Sequence, residues 1–240
     1  MTNSPVRPEA RQPLLAVLID ADNMPARYAE AVLKEAATIG EPALRRVYGD
    51  WSSDQLKAWA PRIRALGLVA HQASANTRGK NASDIQLVID AMDILHSGRF
   101  DGFVLVSSDS DFTALANRLR ENGLTVIGIG EKKAPDSLRN VCNRFIFIEN
   151  IYQDSAEGPS TREKEPPKNA IPLILEAMDA IEQDDAWYHL SQIKTRILAK
   201  HPEFDERTYG QRKMSGLVAG LRRFETKQDG QLVYIRDKGT

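Results

Sequence analysis

Leu14-Leu15-Ala16-Val17-Leu18-Ile19-Asp20-Ala21-Asp22-Asn23 is a continuous apolar run that stops abruptly in carboxylates. A short apolar run of this kind reads as a strand buried on both faces. Pro25 to Ala37 then reads as a helix, with the proline near the first turn, where its missing N–H costs nothing. The same alternation continues downstream. Leu44 to Tyr48 reads as a strand and Asp54 to Leu66 as a helix. Leu68 to Gln72 is a third strand, and Ser83 is placed to cap a helix running to His96. Phe103 to Ser107 is a fourth strand, followed by a helix from Phe112 to Glu121. Leu124 to Ile129 and Phe145 to Ile148 complete the set, with a short helix near Ser137 between them. Strands alternating with helices predict an α/β domain, a parallel sheet covered by helices in three layers. In such sheets ligands bind outside the carboxyl ends of the strands.

The composition agrees with a globular chain. It has 240 residues, 42 % of them apolar and 27 % charged, with a formal net charge of −1. That excludes a mainly disordered chain and a uniformly basic one. No stretch approaches the ~20 apolar residues of a membrane span, and the polar start, Met1 to Pro13, lacks the apolar core of a secretory signal. The single cysteine, Cys142, forms no internal disulfide framework and reads as a small core residue in a reducing, cytoplasmic setting. Residues 153–168 contain no large apolar side chain and three prolines, and read as a linker. The expected organisation is a domain over 13–152, the linker, and a smaller module over 169–240.

Three acidic signals fall at the carboxyl edge of the expected sheet. Strand one ends in Asp20-Ala21-Asp22-Asn23, and strand four ends in Ser107-Ser108-Asp109-Ser110-Asp111-Phe112. Asp84 lies in the first turn of the helix after strand three. At about 100° per residue, Leu87, Val88, Ala91 and Leu95 lie within about 60° of Asp84. Asp84 therefore heads the sheet-facing side, whereas Gln86, Asp90, Asp93 and Ser97 read as a solvated stripe. An acid in a first turn also complements the helix dipole, and Asp111 or Asp22 would serve as caps.

Gathering such carboxylates is costly. Two like charges about 4 Å apart repel by about 4 kcal/mol at an effective dielectric of about 20. A cluster needs protonation or a cation, and oxygen donors without nearby His or Cys select a hard one, Mg²⁺ or Mn²⁺. Such a cation polarises a phosphoryl group and lowers the pKa of an attacking water. Arg78 and Lys80, with Asn76 and Asn81, lie in the polar loop 74–83 and suit phosphates at the rim. Lys132 and Lys133 follow strand five on the same edge. Trp51 is placed either to stack on a base or to pack.

These residues together resemble the NYN-domain family of PIN-like ribonucleases, in its LabA-like branch. The resemblance rests on Leu18-Ile19-Asp20-Ala21-Asp22-Asn23, on Asn81-Ala82-Ser83-Asp84-Ile85-Gln86-Leu87, and on Ser107-Ser108-Asp109-Ser110-Asp111-Phe112, with Ile127-Gly128-Ile129-Gly130 behind them. It implies a metal-dependent ribonuclease. Asp20, Asp84 and Asp109 would be the metal carboxylates, Asp111 would stand in or beside that set, and Asn23 would orient Asp20 or touch substrate. Ser107 and Ser108 would border the bound RNA. Ser108 departs from the glycine common at this point in the family, a conservative change for a tight turn.

The segment 169–240 reads as about three helices and a hairpin turning at Asp229-Gly230, a winged helix-turn-helix pattern. Leu190-Ser191-Gln192-Ile193, Pro202 to Gly210, Lys213 to Leu217 and Phe224-Glu225 resemble the OST-HTH domain, also called LOTUS. That resemblance implies a unit binding RNA or an RNP protein. The residues add a basic stripe: Arg207, Arg212, Lys213, Arg222, Arg223 and Lys227 stand against one acid, Glu225, across 207–227. Solvated cations on an amphipathic helix would look alike. His71, His96, His189 and His201 lack ligand spacing, and Trp59 and Trp187 read as packing residues.

The expected activity is endoribonucleolytic cleavage supported by Mg²⁺ or Mn²⁺, with the C-terminal module bringing RNA or an RNP partner. Two other readings exist at this stage. One is a non-catalytic RNA-binding scaffold. The other is a phosphatase of haloacid-dehalogenase type, with Asp20 as nucleophile and Asp22 as acid.

Overall fold

The structure is a computed structural model that describes residues 11–72, 82–152 and 164–239. Its main sheet has six strands in the order β3-β2-β1-β4-β5-β6. These are β1 (Leu14–Asp20), β2 (Glu41–Gly49), β3 (Val69–Gln72), β4 (Gly102–Val106), β5 (Thr125–Gly130) and β6 (Arg144–Phe147). β1 runs parallel to both of its neighbours, with Ile19 beside Val47 on one side and Val106 on the other. Strands covered on both faces carry apolar residues at every position. Accordingly Leu15 to Ile19 and Phe103 to Val106 are all buried.

The connections are helical: α1 (Ala29–Ile39), α2 (Trp59–Leu66), α3 (Ala82–His96), α4 (Thr113–Glu121), α5 (Asp136–Val141) and α6 (Ile148–Ile151). The expected first helix begins differently. Pro25 precedes a 3-10 turn over Ala26–Tyr28, and the α-helix proper starts at Ala29. α2 ends at Gly67, whose φ of 61° is left-handed and favours glycine. Ser83 lies inside α3 rather than capping it.

Packing groups the chain into two units, one up to Val106 with Leu119–Thr125, the other Ser107–Arg118 with the chain from Val126 onward. The second unit contains the C-terminal helices α7 (Ile171–Asp179), α8 (Leu190–Lys200) and α9 (Met214–Ala219). A three-stranded antiparallel sheet joins them, β7 (Tyr188–His189), β8 (Phe224–Asp229) and β9 (Leu232–Asp237), in the order β7-β9-β8. Gly230 sits in the hairpin turn at φ 58°. Ile174, Ile193, Ile197, Leu217, Phe224 and Ile235 form the core beneath this wing. Of the stretch read as a linker, residues 153–163 lie outside the described residues. Glu165 is already held, its N–H donating to the Thr208 carbonyl at 3.0 Å, and Pro167–Ala170 form a 3-10 turn.

The same unit ties β6 and α6 to the C-terminal residues. The Phe145 N–H donates to the Pro202 carbonyl at 2.8 Å, and Asn150 Nδ2 donates to Thr208 Oγ1 at 2.9 Å. Arg144 stands 3.9 Å from the buried Asp205. β6 is an edge strand, and Pro202 occupies a backbone donor there that would otherwise face an open edge.

Candidate active site

Asp20 is the last residue of β1 and is 1 % exposed. A carboxylate at that depth must be met by donors. Asn23 supplies two: its N–H reaches Oδ1 at 3.2 Å and its Nδ2 reaches Oδ2 at 2.8 Å. The turn is closed by the Met24 N–H on the Asp20 carbonyl at 3.0 Å and the Ala21 N–H on the Tyr48 carbonyl at 2.8 Å. Asp22 is exposed.

The turn leaving β4 is fixed by its own short side chains. Ser107 is buried, and its Oγ accepts the Asp109 N–H at 3.1 Å. Asp109 Oδ1 accepts the Asp111 N–H at 3.0 Å, so Asp109 caps the 3-10 turn Ser110–Phe112. The cap expected of Asp111 thus belongs to Asp109, while Asp111 is exposed. Ser108 Oγ accepts the Glu131 N–H at 2.8 Å, which ties the turn to the end of β5. A Cβ on Gly130 would fall 2.5 Å from the Ser107 carbonyl and 3.0 Å from Ser108 Oγ. Only glycine lets the turn settle that close.

Asp84 is half-buried in the first turn of α3, as the spacing predicts. Leu87 and Ala91 are buried and Asp93 and Ser97 exposed, as the spacing predicts, but the buried face extends further round the helix than expected. Asp90, read as part of a solvated stripe, is buried. Its carboxylate accepts from Tyr48 Oη and from the Arg46 guanidinium, both on β2. The face then turns Ile85 and Ile89 outward, at 60 % and 52 % exposure. A buried carboxylate wins this competition because two donors wait on the sheet. Burial first, and then the Asp90 carboxylate, push the Tyr48 phenol far above the usual tyrosine range. His71 lies beside Tyr48, with ring centroids 5.1 Å apart, and burial lowers its pKa. Trp51 packs here, its Nε1 donating to the His71 carbonyl at 2.9 Å. Trp59 is buried, as is Cys142, whose thiol donates to the Leu138 carbonyl at 3.3 Å.

Among the described residues no group of three or more His, Cys, Asp or Glu comes together closely enough to hold a metal ion. Asp20, Asp84 and Asp109 do not form such a trio. Arg78, Lys80, Asn76 and Asn81 lie outside the described residues.

On the C-terminal module, Arg212, Lys213 and Arg222 are exposed, as a basic surface requires. Two members of the expected stripe are spoken for. Arg223 forms a two-pronged pair with Asp237 at 3.0 and 2.9 Å, and Arg207 grips Asp205. Asp205 lies two residues before the window counted on the sequence and Asp237 ten residues after it. Lys227 stands 5.1 Å from the Trp187 ring, and Arg236 stands 4.8 Å from it. The strand register across the wing creates that stack, which linear spacing does not show.

Comparison with known proteins adds the following. The NYN domain family matches residues 14–149, and the OST-HTH/LOTUS domain matches residues 163–235. No curated protein matches the chain. Among solved structures, a crystal structure of a protein of unknown function from Vibrio parahaemolyticus superposes with a TM-score of 0.50 at 18 % identity. The match covers 61 % of this chain and 99 % of that one, and it concerns the fold.

Proposed function

The chain belongs to the NYN domain family, and on that premise we propose that it is a metal-dependent endoribonuclease. The observation that carries the reading is Asp20: a carboxylate 1 % exposed, held on both oxygens by Asn23, at the carboxyl end of a central parallel strand. Such an acid serves no packing purpose that an apolar residue would not serve better. In this reading residues 13–152 form the catalytic domain and 169–240 the module that binds RNA or an RNP protein, joined through 153–168.

The donor chemistry fits a hard cation, since the candidate ligands are all carboxylate oxygens. Mg²⁺ commonly takes one or two carboxylates, keeping waters and substrate phosphate as its other ligands. Asp20, Asp84 and Asp109 would be the candidate ligands, with Asp111 in or beside that set. The bound ion would lower the pKa of a water and offset charge on the phosphodiester. Asn23 holds the Asp20 carboxylate in one orientation. Ser107 and Ser108 hold the turn that presents Asp109. Arg78 and Lys80 would bind phosphate at the rim, and Arg212, Lys213, Arg222 and Arg223 would hold the RNA backbone farther along. Arg223 does so with Asp237 already on its guanidinium, which makes it the weakest of the four.

The test is cleavage of labelled single-stranded and structured RNA with Mg²⁺, Mn²⁺ or EDTA. Cleavage that needs the metal and disappears in both Asp20→Asn and Asp109→Asn is the expected result. RNA binding without cleavage in every preparation would replace the nuclease with a scaffold. A phosphoenzyme on Asp20 would select the phosphatase.

A further inference from the structure

The Asp90 network has no part in the chemistry proposed above, yet within the first packing unit it touches both elements that carry candidate ligands. Tyr48 is the point of contact. Its carbonyl accepts the Ala21 N–H at 2.8 Å and so holds the turn that follows Asp20. In the register of β1 on β2, Tyr48 lies directly beside Asp20. Its phenol donates to Asp90 on α3, the helix whose first turn carries Asp84. Arg46 is two residues back on β2, hence on the same face of the strand. It donates to the other oxygen of that carboxylate.

Apolar packing alone does not account for the way α3 sits. Apolar contact is non-directional, and a helix held by it alone turns its most apolar side inward. At about 100° per residue, Ile89 and Ile85 stand about 100° and 140° round the helix from Asp90. Both stay exposed, while Asp90 is buried. The helix forgoes two isoleucines and buries an acid. Stability alone does not ask for this, because apolar residues of similar volume in place of a buried ion pair are often neutral or better. What the network adds is direction. Its two donor residues, about 7 Å apart along one strand, converge on both oxygens of one carboxylate. That fixes the rotation of the helix and its slide along the sheet together.

Asp84 moves with that rotation. It lies about 9 Å along the helix axis from Asp90. A small hard cation demands near-ideal octahedral geometry, so its affinity depends on where each carboxylate stands. We propose that Tyr48, Asp90 and Arg46 are positioning residues of the cation site, a clasp that fixes Asp84 on α3 relative to Asp20 on β1. The proposal rests on the metal reading above and names what sets the spacing of two of its ligands.

The experiment titrates the full-length chain with Mn²⁺ by calorimetry and follows urea unfolding on the same samples. Asp20→Asn should abolish the Mn²⁺ isotherm, which identifies the site being read. Two variants test the clasp. Tyr48→Phe removes one of its two arms and keeps the ring. A triple variant, Arg46→Met with Tyr48→Phe and Asp90→Leu, replaces the network by apolar groups of similar size. In the triple variant the expected result is a urea midpoint close to the parent's with Mn²⁺ affinity lowered about fivefold or more, as loss of supports behind metal ligands implies. Tyr48→Phe should lose affinity in the same direction and by less. RNA cleavage by both should half-saturate at correspondingly higher Mn²⁺, because excess cation compensates for misplaced ligands. Parental Mn²⁺ affinity in either folded variant would overturn the proposal and leave the metal reading standing. Affinity that falls only in step with the urea midpoint would assign the network to stability and overturn it too. If the triple variant does not fold, Tyr48→Phe decides by the same two readings. No Mn²⁺ binding by the parent chain, or binding untouched by Asp20→Asn, would reject both the clasp and the metal reading.

Discussion

Asp90 shows how much a single residue's setting matters. It lies on the side of α3 opposite Asp84 by helical spacing, yet it is buried against Arg46 and Tyr48. Asp90→Ala would strand a guanidinium and a phenol in a poorly hydrated place. The Arg46 side chain keeps 28 % of its exposure, so water absorbs part of the cost. The expected loss is about 1–3 kcal/mol, read from urea unfolding, with Asp90→Asn losing less. A residue that only solvates a helix would change stability by less than about 0.5 kcal/mol. Asp20 was legible from the sequence because an acid ending an apolar strand is conspicuous. Asp90 was not, because its partners lie more than forty residues away on another element.

At the scale of elements, the turn after β4 depends on the end of β5. Gly130 leaves room for the Ser107 carbonyl, and Ser108 reaches the Glu131 N–H. Gly130→Ala should cost about 1–3 kcal/mol through overpacking, seen as a lower melting temperature. On the proposed nuclease reading it should also reduce cleavage in the protein that remains folded, because the displaced turn carries Asp109. A folded Gly130→Ala protein with full activity would separate the turn from catalysis. A second element-scale prediction concerns the 3-10 turn Glu206–Tyr209, capped by Asp205. Burial pushes the Asp205 carboxyl up, but the hydrogen bonds and charge of Arg207, helped by Arg144, outweigh it and hold the group below its usual 3.8. A depressed carboxyl stabilises the fold above its unfolded value and loses that contribution as pH falls through the folded one. Urea midpoints should therefore drop more steeply below about pH 4 in the parent chain than in Asp205→Asn. A parallel fall in both would remove Asp205 from the acid response.

For the whole molecule, the arrangement along the chain and the packing do not coincide. The two family matches divide near residues 149 and 163, whereas the packing units divide after Val106 and place β6 with the C-terminal helices. A chain truncated after residue 163 loses the Pro202 carbonyl from Phe145 and the Asp205 and Thr208 contacts of Arg144 and Asn150. It should melt earlier than the full chain and self-associate through the uncovered β6 edge, seen by light scattering. Unchanged melting and a monomeric fragment would show that the C-terminal segment lends the sheet nothing.

The sequence by itself determined the alternating strands and helices, the parallel sheet, the wing, and the carboxylates at the strand ends. Each of these is written in local periodicity, or in a residue type that interrupts it. Tertiary structure alone decided that Asp90 joins the inward side of α3, which cations of the 207–227 stripe are already paired, and that β6 is bound to residues beyond 200. Those outcomes depend on donors and acceptors distant along the chain. A buried charge or an edge-strand N–H takes whichever partner the fold brings within reach, and local spacing carries no record of that choice.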